Sequence, residues 1–143
     1  MGYIWYIPIF YKLQQIPVFG ERWGLANQDI INELLVAKEK VTGRKVEELY
    51  ETQKRAIDAG LLSKKENFVI IAPTASGKTL NAEFAIYQAL KNGEKVLYLT
   101  PTASLCSDKE NELACLRDLN FKMTASEKWA DADIVIATFE TFY

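Results

Sequence analysis

Hydrophobic residues in the first part of the chain recur three and four positions apart, the spacing of a helix face. A first helix is predicted from Gln28, with Asn27 as its N-cap, to a break at residues 42–44. A second helix is predicted from residue 46 or 47 to Ala59, with Gly60 as its stop. The inward-facing positions are Ile30, Ile31, Leu34, Leu35 and Val41 in the first helix, and Leu49, Ala56 and Ile57 in the second.

Short apolar runs later in the chain predict strands. Their ranges are 68–72, 95–100, 121–124 and 133–138. The run at 68–72 is continuously apolar, which is typical of a strand buried on both faces. Helices are predicted at 78–92 and from residue 102 or 103 to 119. Strands that alternate with helices of roughly ten or more residues indicate βαβ units, so we predict an α/β fold with a mainly parallel sheet and flanking helices.

The composition is that of an ordinary globular domain. The chain has 143 residues, 49% of them hydrophobic and 25% charged, with a net charge of −2. This charge excludes bulk attraction to nucleic acid, so any such contact needs a local surface. Cys106 and Cys115 would point to opposite sides of a helix, and histidine is absent. We therefore expect neither a disulfide nor a zinc site, consistent with a reducing interior.

The first residues form a segment of unusual composition. Residues 1–19 are rich in aromatic side chains and carry one charge, at Lys12. Pro8 and Pro17 interrupt the run, whereas a membrane helix needs about 20 apolar residues. The basic start of a secretory signal is also missing. We interpret residues 1–26 as an aromatic arm, and three roles stay open for it: packing on the domain, binding a partner, or contacting a membrane.

The strongest motif lies at residues 72–79, APTASGKT. It matches the P-loop pattern G-x-x-x-x-G-K-[ST] at Gly77, Lys78 and Thr79, with Ala72 at the first glycine position. A predicted strand leads into the loop and a predicted helix follows it, so backbone amides and the helix N-terminus should converge on a phosphate.

Each residue of this loop has an expected role toward a nucleoside triphosphate. The loop backbone should cradle the phosphates, Lys78 should reach the β- and γ-phosphates, and the Thr79 hydroxyl should ligate Mg²⁺. The cradling residues are Pro73, Thr74, Ala75, Ser76 and Gly77. The alternative is a chance match in a tight turn between a strand and a helix.

Hydrolysis by P-loop enzymes usually needs an Asp beside the magnesium ion and a Glu that orients water. Asp131 and Asp133 precede the strand predicted at 133–138, and this is the wrong end for a phosphate site. Glu140 follows that strand without an adjacent Asp. We therefore interpret these three acids as turn and surface residues.

Three further segments complete the pattern: 49–57 (LYETQKRAI), 101–109 (PTASLCSDK) and 137–140 (ATFE). Together with the P-loop, and in this order, they resemble the motifs of superfamily 2 nucleic-acid helicases. The likeness is greatest to the branch that includes archaeal repair helicases and RNA-surveillance helicases. It covers roughly residues 46–143.

The resemblance implies a RecA-like P-loop domain that binds ATP and Mg²⁺. It implies that Gln53 hydrogen-bonds the adenine edge, and that Thr102, Ser104 and Thr138 contact the phosphodiester backbone of single-stranded or duplex DNA or RNA. The alternatives are an exposed helix residue for Gln53 and simple helix capping for the others. An intracellular location follows, cytoplasmic or nuclear, without a membrane partner.

The resemblance also implies that residues 27–143 are the first part of a motor domain, incomplete at its C-terminus. A second motor domain or a partner chain would complete it, and this chain alone should bind nucleotide without meaningful turnover. Its open sheet would expose apolar surface, which the aromatic arm or a partner would cover. Two other interpretations stay open: an inactive P-loop binding or interaction module, and a kinase, although no lid is apparent.

Overall fold

A computed structural model describes residues 23–63, 67–125 and 130–142 of the chain. Its helices are α1 (Trp23–Thr42), α2 (Glu51–Asp58), α3 (Lys78–Lys91), α4 (Ala103–Glu112), α5 (Ala114–Asp118) and α6 (Phe139–Phe142). Its strands are β1 (Val96–Thr100), β2 (Met123–Thr124) and β3 (Ile134–Thr138). None of the helices in these ranges combines the length and apolar content that crossing a lipid bilayer requires.

The strands form one parallel sheet in the order β1-β3-β2. The register of β1 and β3 runs from Val96 opposite Ile134 to Thr100 opposite Thr138. Four of the five β3 residues are buried, as expected for the central strand of a parallel sheet. The parallel sheet with flanking helices confirms the predicted α/β architecture.

The core lies on the two faces of this sheet. Alternate residues of a strand point to opposite faces, so Ile134 and Ile136 join the main cluster, while Val135 and Ala137 join a smaller one. Helices α1, α3 and α5 supply most of the main cluster. Its fully buried members include Phe84, Leu34, Ile86, Leu113 and Leu116.

The helix boundaries differ from prediction at α1 and α2. Helix α1 begins at Trp23, so Asn27 lies inside it and is not its N-cap. The predicted boundary between the arm and the domain, after residue 26, therefore falls within α1, and residues 1–22 of the arm lie outside the described residues. Val41 is 43% exposed, because the last turn of α1 extends beyond the core. Helix α2 begins at Glu51 because the extended Tyr50 backbone, with its amide held by Gln53, forms its N-cap.

The helix predicted from residue 102 or 103 to 119 is broken in two. The backbone of Leu113 has φ −86° and ψ 9°, away from helical values, and it separates α4 from α5. The break turns Leu113, Cys115 and Leu116 into the core, where each is at most 2% exposed. Burial of these side chains overrides the continuous helical pattern of the local sequence.

The strand predicted at 68–72 was wrong, because this segment is irregular in the structure. Val69 is 86% exposed and Ile71 is 90% exposed. A strand exists only when a neighbouring strand pairs with it, and residues 68–72 join none of the described strands.

A buried ion pair joins α1 to α3. Lys38 Nζ lies 2.6 Å from Glu83 Oε2, and the side chain of Glu83 is only 2% exposed. Burial raises the pKa of the Glu83 carboxyl above its ordinary value of 4.5, and the charge of Lys38 opposes this rise. Glu112 adds to the rise and Lys109 also opposes it. Lys38 thus offsets part of the cost of burying a carboxylate in α3.

Replacing Lys38 with Met should destabilise the fold in a pH-dependent way. Without Lys38 the pKa of Glu83 rises further, and stability that is fully present below its ordinary pKa is lost as the pH passes the raised value. We expect a loss of about 3 kcal/mol in the free energy of unfolding near neutral pH, with recovery toward about pH 5. Urea unfolding of both proteins across this range measures it.

The double variant Lys38→Met/Glu83→Gln is the matched control, because it carries no buried carboxylate at position 83. It should lose the pH dependence of the single variant. An equal loss of stability at all pH values in Lys38→Met would show that packing, and not charge, explains the effect.

Asn81, also on α3, is completely buried. Neither its Nδ2 nor its Oδ1 atom has a hydrogen-bond partner within the described ranges. Leu has nearly the same branched shape without polar atoms, so Asn81→Leu should raise the free energy of unfolding by about 1 kcal/mol or more. Urea unfolding measures the change, and Asn111→Leu on the exposed face of α4 should stay within about 0.5 kcal/mol of the parent. A loss of stability in Asn81→Leu would contradict this account.

Candidate nucleotide-binding site

The P-loop has the backbone shape of an anion cradle. Gly77 has φ +78° and immediately precedes α3, and Ala75 has φ +60°, so both lie in the left-handed region. Such turns direct successive amide N–H groups toward one point. A hydrogen bond within the loop stabilises this turn: the Ser76 Oγ atom donates to the Pro73 carbonyl oxygen at 2.7 Å. Thr74 and Ala75 are exposed, so the loop is open to a ligand.

The charged and hydroxyl groups of the motif lie at the start of α3. Lys78 is half-buried, and its Nζ atom donates to the carbonyl oxygen of Ala72 across the loop. Thr79 is exposed in the first turn, which contains no acidic residue. An ammonium group, a hydroxyl group and the positive end of a 14-residue helix suit a triphosphate with Mg²⁺.

Gln53 is held against this loop by two hydrogen bonds. Its Nε2 atom donates to the Gly77 carbonyl oxygen at 3.1 Å, and its Oε1 atom accepts from the Tyr50 amide at 2.8 Å. The residue is 4% exposed, so the alternative of an exposed helix residue was wrong. A side-chain amide has two donor hydrogens and two acceptor lone pairs, so one of each is left for another partner.

Gly77 permits this contact because it lacks a Cβ atom. A Cβ placed there would lie 2.2 Å from Gln53 Nε2 and 2.9 Å from Tyr50 Cδ2. Tyr50 therefore also packs on the loop, with 60% of its surface exposed. Tyr50 was not among the predicted site residues, although it lies in the same motif three positions before Gln53.

The three residues expected to contact nucleic acid lie at one edge of the sheet. Parallel pairing of β1 and β3 places both strands' carboxyl ends side by side, with Thr102 and Ser104 following β1 and Thr138 ending β3. Thr102 Oγ1 accepts from the Leu105 amide at 3.4 Å, and Thr138 Oγ1 accepts from the Thr141 amide at 3.2 Å. Both threonines thus also cap helices.

The acidic residues Asp131, Asp133 and Glu140 lie at the predicted positions relative to β3. Asp133 precedes β3, and its Oδ2 atom accepts from the Lys122 amide at 2.8 Å. Asp131 is exposed in the preceding turn, and Glu140 is exposed in α6. These positions confirm the interpretation of Asp131 and Asp133 as turn residues at the amino end of the strand.

Comparison with known families agrees with this geometry. Residues 50–143 match the DEAD/DEAH box helicase family, and this chain belongs to that family. The matched range begins at Tyr50 and includes Gln53, the P-loop and the whole sheet. The family has the RecA-like P-loop fold, so the predicted superfamily and fold are confirmed.

Individual relatives are archaeal proteins named ATP-dependent DNA helicase Hel308. The chain is 40% identical over 114 residues to the one from Pyrococcus horikoshii, covering 73% of this chain and 16% of the relative. It is 42% identical over 79 residues to the one from Thermoplasma acidophilum, covering 55% and 11%. For the one from Aeropyrum pernix the identity is 39% over 103 residues, covering 68% and 14%. The chain thus spans less than a fifth of the length of these relatives.

Gly77→Ala should destabilise the protein more than a glycine substitution with the same backbone strain. Gly93 is the matched control, because its φ is +76° and a Cβ there would meet nothing within 4 Å. Gly93→Ala should cost about 1 kcal/mol, from left-handed strain alone. Gly77→Ala should cost about 1–3 kcal/mol more, because Gln53 must withdraw and lose its partners. Equal losses in urea unfolding would show that the Gln53 contact contributes nothing.

Proposed function

We propose that this chain is the ATP-binding part of an ATP-dependent DNA helicase. The observation that carries the proposal is the left-handed Gly77 at the start of α3, with Lys78 beside it and Gln53 bonded to its carbonyl. Family membership and the names of the relatives support the same conclusion. The names also favour DNA over RNA as the partner.

The loop residues would hold the triphosphate of ATP together with Mg²⁺. The backbone amides from Thr74 to Lys78 would donate to phosphate oxygens, and the left-handed turns at Ala75 and Gly77 support this direction. Lys78 would exchange the Ala72 carbonyl for the β- and γ-phosphates, and the exposed Thr79 would ligate Mg²⁺. In the intact helicase, hydrolysis of ATP held by these residues would supply the free energy for movement along nucleic acid.

Gln53 would contribute to adenine recognition through its remaining donor and acceptor. Its buried amide is already oriented by Gly77 and Tyr50, so reading the base requires no new ordering of the side chain. The Gln53 amide would thereby connect the bound adenine to the phosphate loop, because the same group bonds to the Gly77 carbonyl.

Thr102, Ser104 and Thr138 would contact the phosphodiester backbone of DNA. Their position at the shared carboxyl edge of β1 and β3 supports this role, as do the exposed side chains of Thr102 and Ser104. Hydroxyl and amide donors at such an edge bind phosphate without reading base sequence. A contact of this kind suits a protein that moves along DNA.

Hydrolysis would need groups from outside the 143 residues. The sequence contains no Asp-Glu pair after an apolar strand. We propose that a second motor domain or a partner chain completes the catalytic site, and that this chain alone binds ATP without meaningful turnover. A second motor domain would supply arginines that stabilise the transition state. An arginine in this role is worth about 10³–10⁵ in rate in related P-loop enzymes.

Lys78→Ala should weaken binding of ATP with Mg²⁺ by about 1.5–3 kcal/mol, because a charged hydrogen-bond donor to the phosphates is lost. Isothermal titration calorimetry on the purified chain measures the affinity. Lys40→Ala, on the exposed surface of α1, is the control and should bind like the parent. Failure of the folded parent to bind ATP would overturn the proposal.

A further inference from the structure

An open groove lies between α1 and the end of α5. Its cavity volume is about 400 Å³, within the range of about 300–1,000 Å³ typical of pockets that enclose small organic molecules. The apolar residues that line it are Val36, Ala37 and Leu119, and charged residues that line it are Glu33, Lys40 and Asp118. The groove therefore has room for an aromatic side chain and apolar surface to contact it.

Val36 is the exposed apolar residue of this groove. It is 53% exposed, whereas Leu34 and Ala37 in the same stretch of α1 are 0% and 4% exposed. A single exposed valine on a convex surface needs no explanation, but Val36 lines a concave surface together with two other apolar side chains. Covering this surface would remove apolar area from water and so stabilise the protein.

The chain itself contains a segment with a matching composition. Residues 1–19 of the aromatic arm lie outside the described residues, and their sequence contains six aromatic side chains and one charge, at Lys12. The arm leads directly into α1, the helix that forms one wall of the groove. Its position in the chain therefore gives it a high effective concentration near the groove.

The arm is long enough to reach the groove. Val36 is thirteen positions after Trp23, the first residue of α1, so the helix separates the two by about 20 Å. An extended chain covers this distance in about six residues. Residues 17–20 (PVFG) combine proline and glycine, which favour a reversal of the chain. A reversal there would bring Phe10, Tyr11 and Lys12 level with Val36.

The charges around the groove favour the same arrangement. Glu33 already pairs with Lys91 at 3.0 Å, and its carboxylate also accepts from the Tyr87 hydroxyl. Asp118 is exposed and has no ion-pair partner among the residues that the structure describes. Of the two acids that line the groove, Asp118 is thus the one available to the single cation of the arm.

We propose that the aromatic arm folds back along α1 and places Phe10 and Tyr11 in the groove between α1 and α5, with Lys12 beside Asp118. The arm is then an intramolecular brace that covers Val36. This inference selects packing on the domain from the three roles that the sequence left open for the arm. It does not depend on the proposed nucleotide site.

Limited digestion of the folded chain with chymotrypsin tests the proposal, because this protease cleaves after aromatic residues. Cleavage within residues 1–19, followed by mass spectrometry, tracks the fraction of molecules with the arm undocked. Val36→Asp places a charge in the apolar groove, so the arm should be cleaved about tenfold faster than in the parent. Val41→Asp is the matched control, because Val41 is 43% exposed on the same helix but outside the groove, and it should behave like the parent.

A charge exchange tests the predicted orientation of the arm. Asp118→Lys should speed cleavage by about two- to fivefold, since an exposed ion pair is replaced by repulsion with Lys12. The double variant Lys12→Glu/Asp118→Lys restores opposite charges and should return the rate toward that of the parent. A double variant that is cleaved as fast as Asp118→Lys alone would refute the placement of Lys12.

Three results would overturn the proposal. The first is equally fast cleavage of the arm in the parent, Val36→Asp and Val41→Asp, which would show that the groove does not hold it. The second is faster cleavage in Val69→Ser/Ile71→Ser but not in Val36→Asp, which would place the arm on residues 68–72 instead. The third is protection that rises with protein concentration together with a dimer in light scattering, because a second copy would then occupy the groove.

Discussion

The contact between the Gln53 amide and the backbone of Gly77 is the interaction on which the candidate site depends. It exists because residue 77 has no Cβ atom and adopts a left-handed φ of +78°. Through it the start of α2 is joined to the turn before α3. The same amide holds the Tyr50 backbone, so one buried side chain positions the phosphate loop and the aromatic ring beside it.

The position of the P-loop depends on the position of α3, which directly follows it. Helix α3 makes polar contacts with α1 at several points along its length. Lys38 reaches the buried Glu83 near the middle of α3. Near its end, the Tyr87 hydroxyl donates to Glu33, and Lys91 lies 3.0 Å from the same carboxylate. Hydrogen bonds from Tyr87 and Lys91 keep the pKa of Glu33 below its ordinary value, so it stays charged. These polar contacts fix the direction of α3, while the apolar core supplies most of the stabilisation.

Elements specified by nearby residues were predicted well. The bounds of α3, β1 and β3 differ from prediction by about a residue, because an apolar run between polar flanks or a glycine stop is a local signal. Prediction failed for segments whose conformation depends on contacts with residues distant in the sequence. Residues 68–72 have the composition of a strand but pair with none of the described strands, and burial of Leu113 bends a pattern that reads as one continuous helix.

By itself the sequence determined the α/β class, the P-loop and the helicase family, since each depends on residue types at fixed spacing. It also predicted a nucleotide-binding role for Gln53. Only the tertiary structure decided what Gln53 touches and which lysine accompanies Glu83. These partners are separated by 24 and 45 positions in the chain, and no local pattern encodes which distant groups meet. Their meeting depends on how the helices pack around the sheet, which is a property of the whole fold.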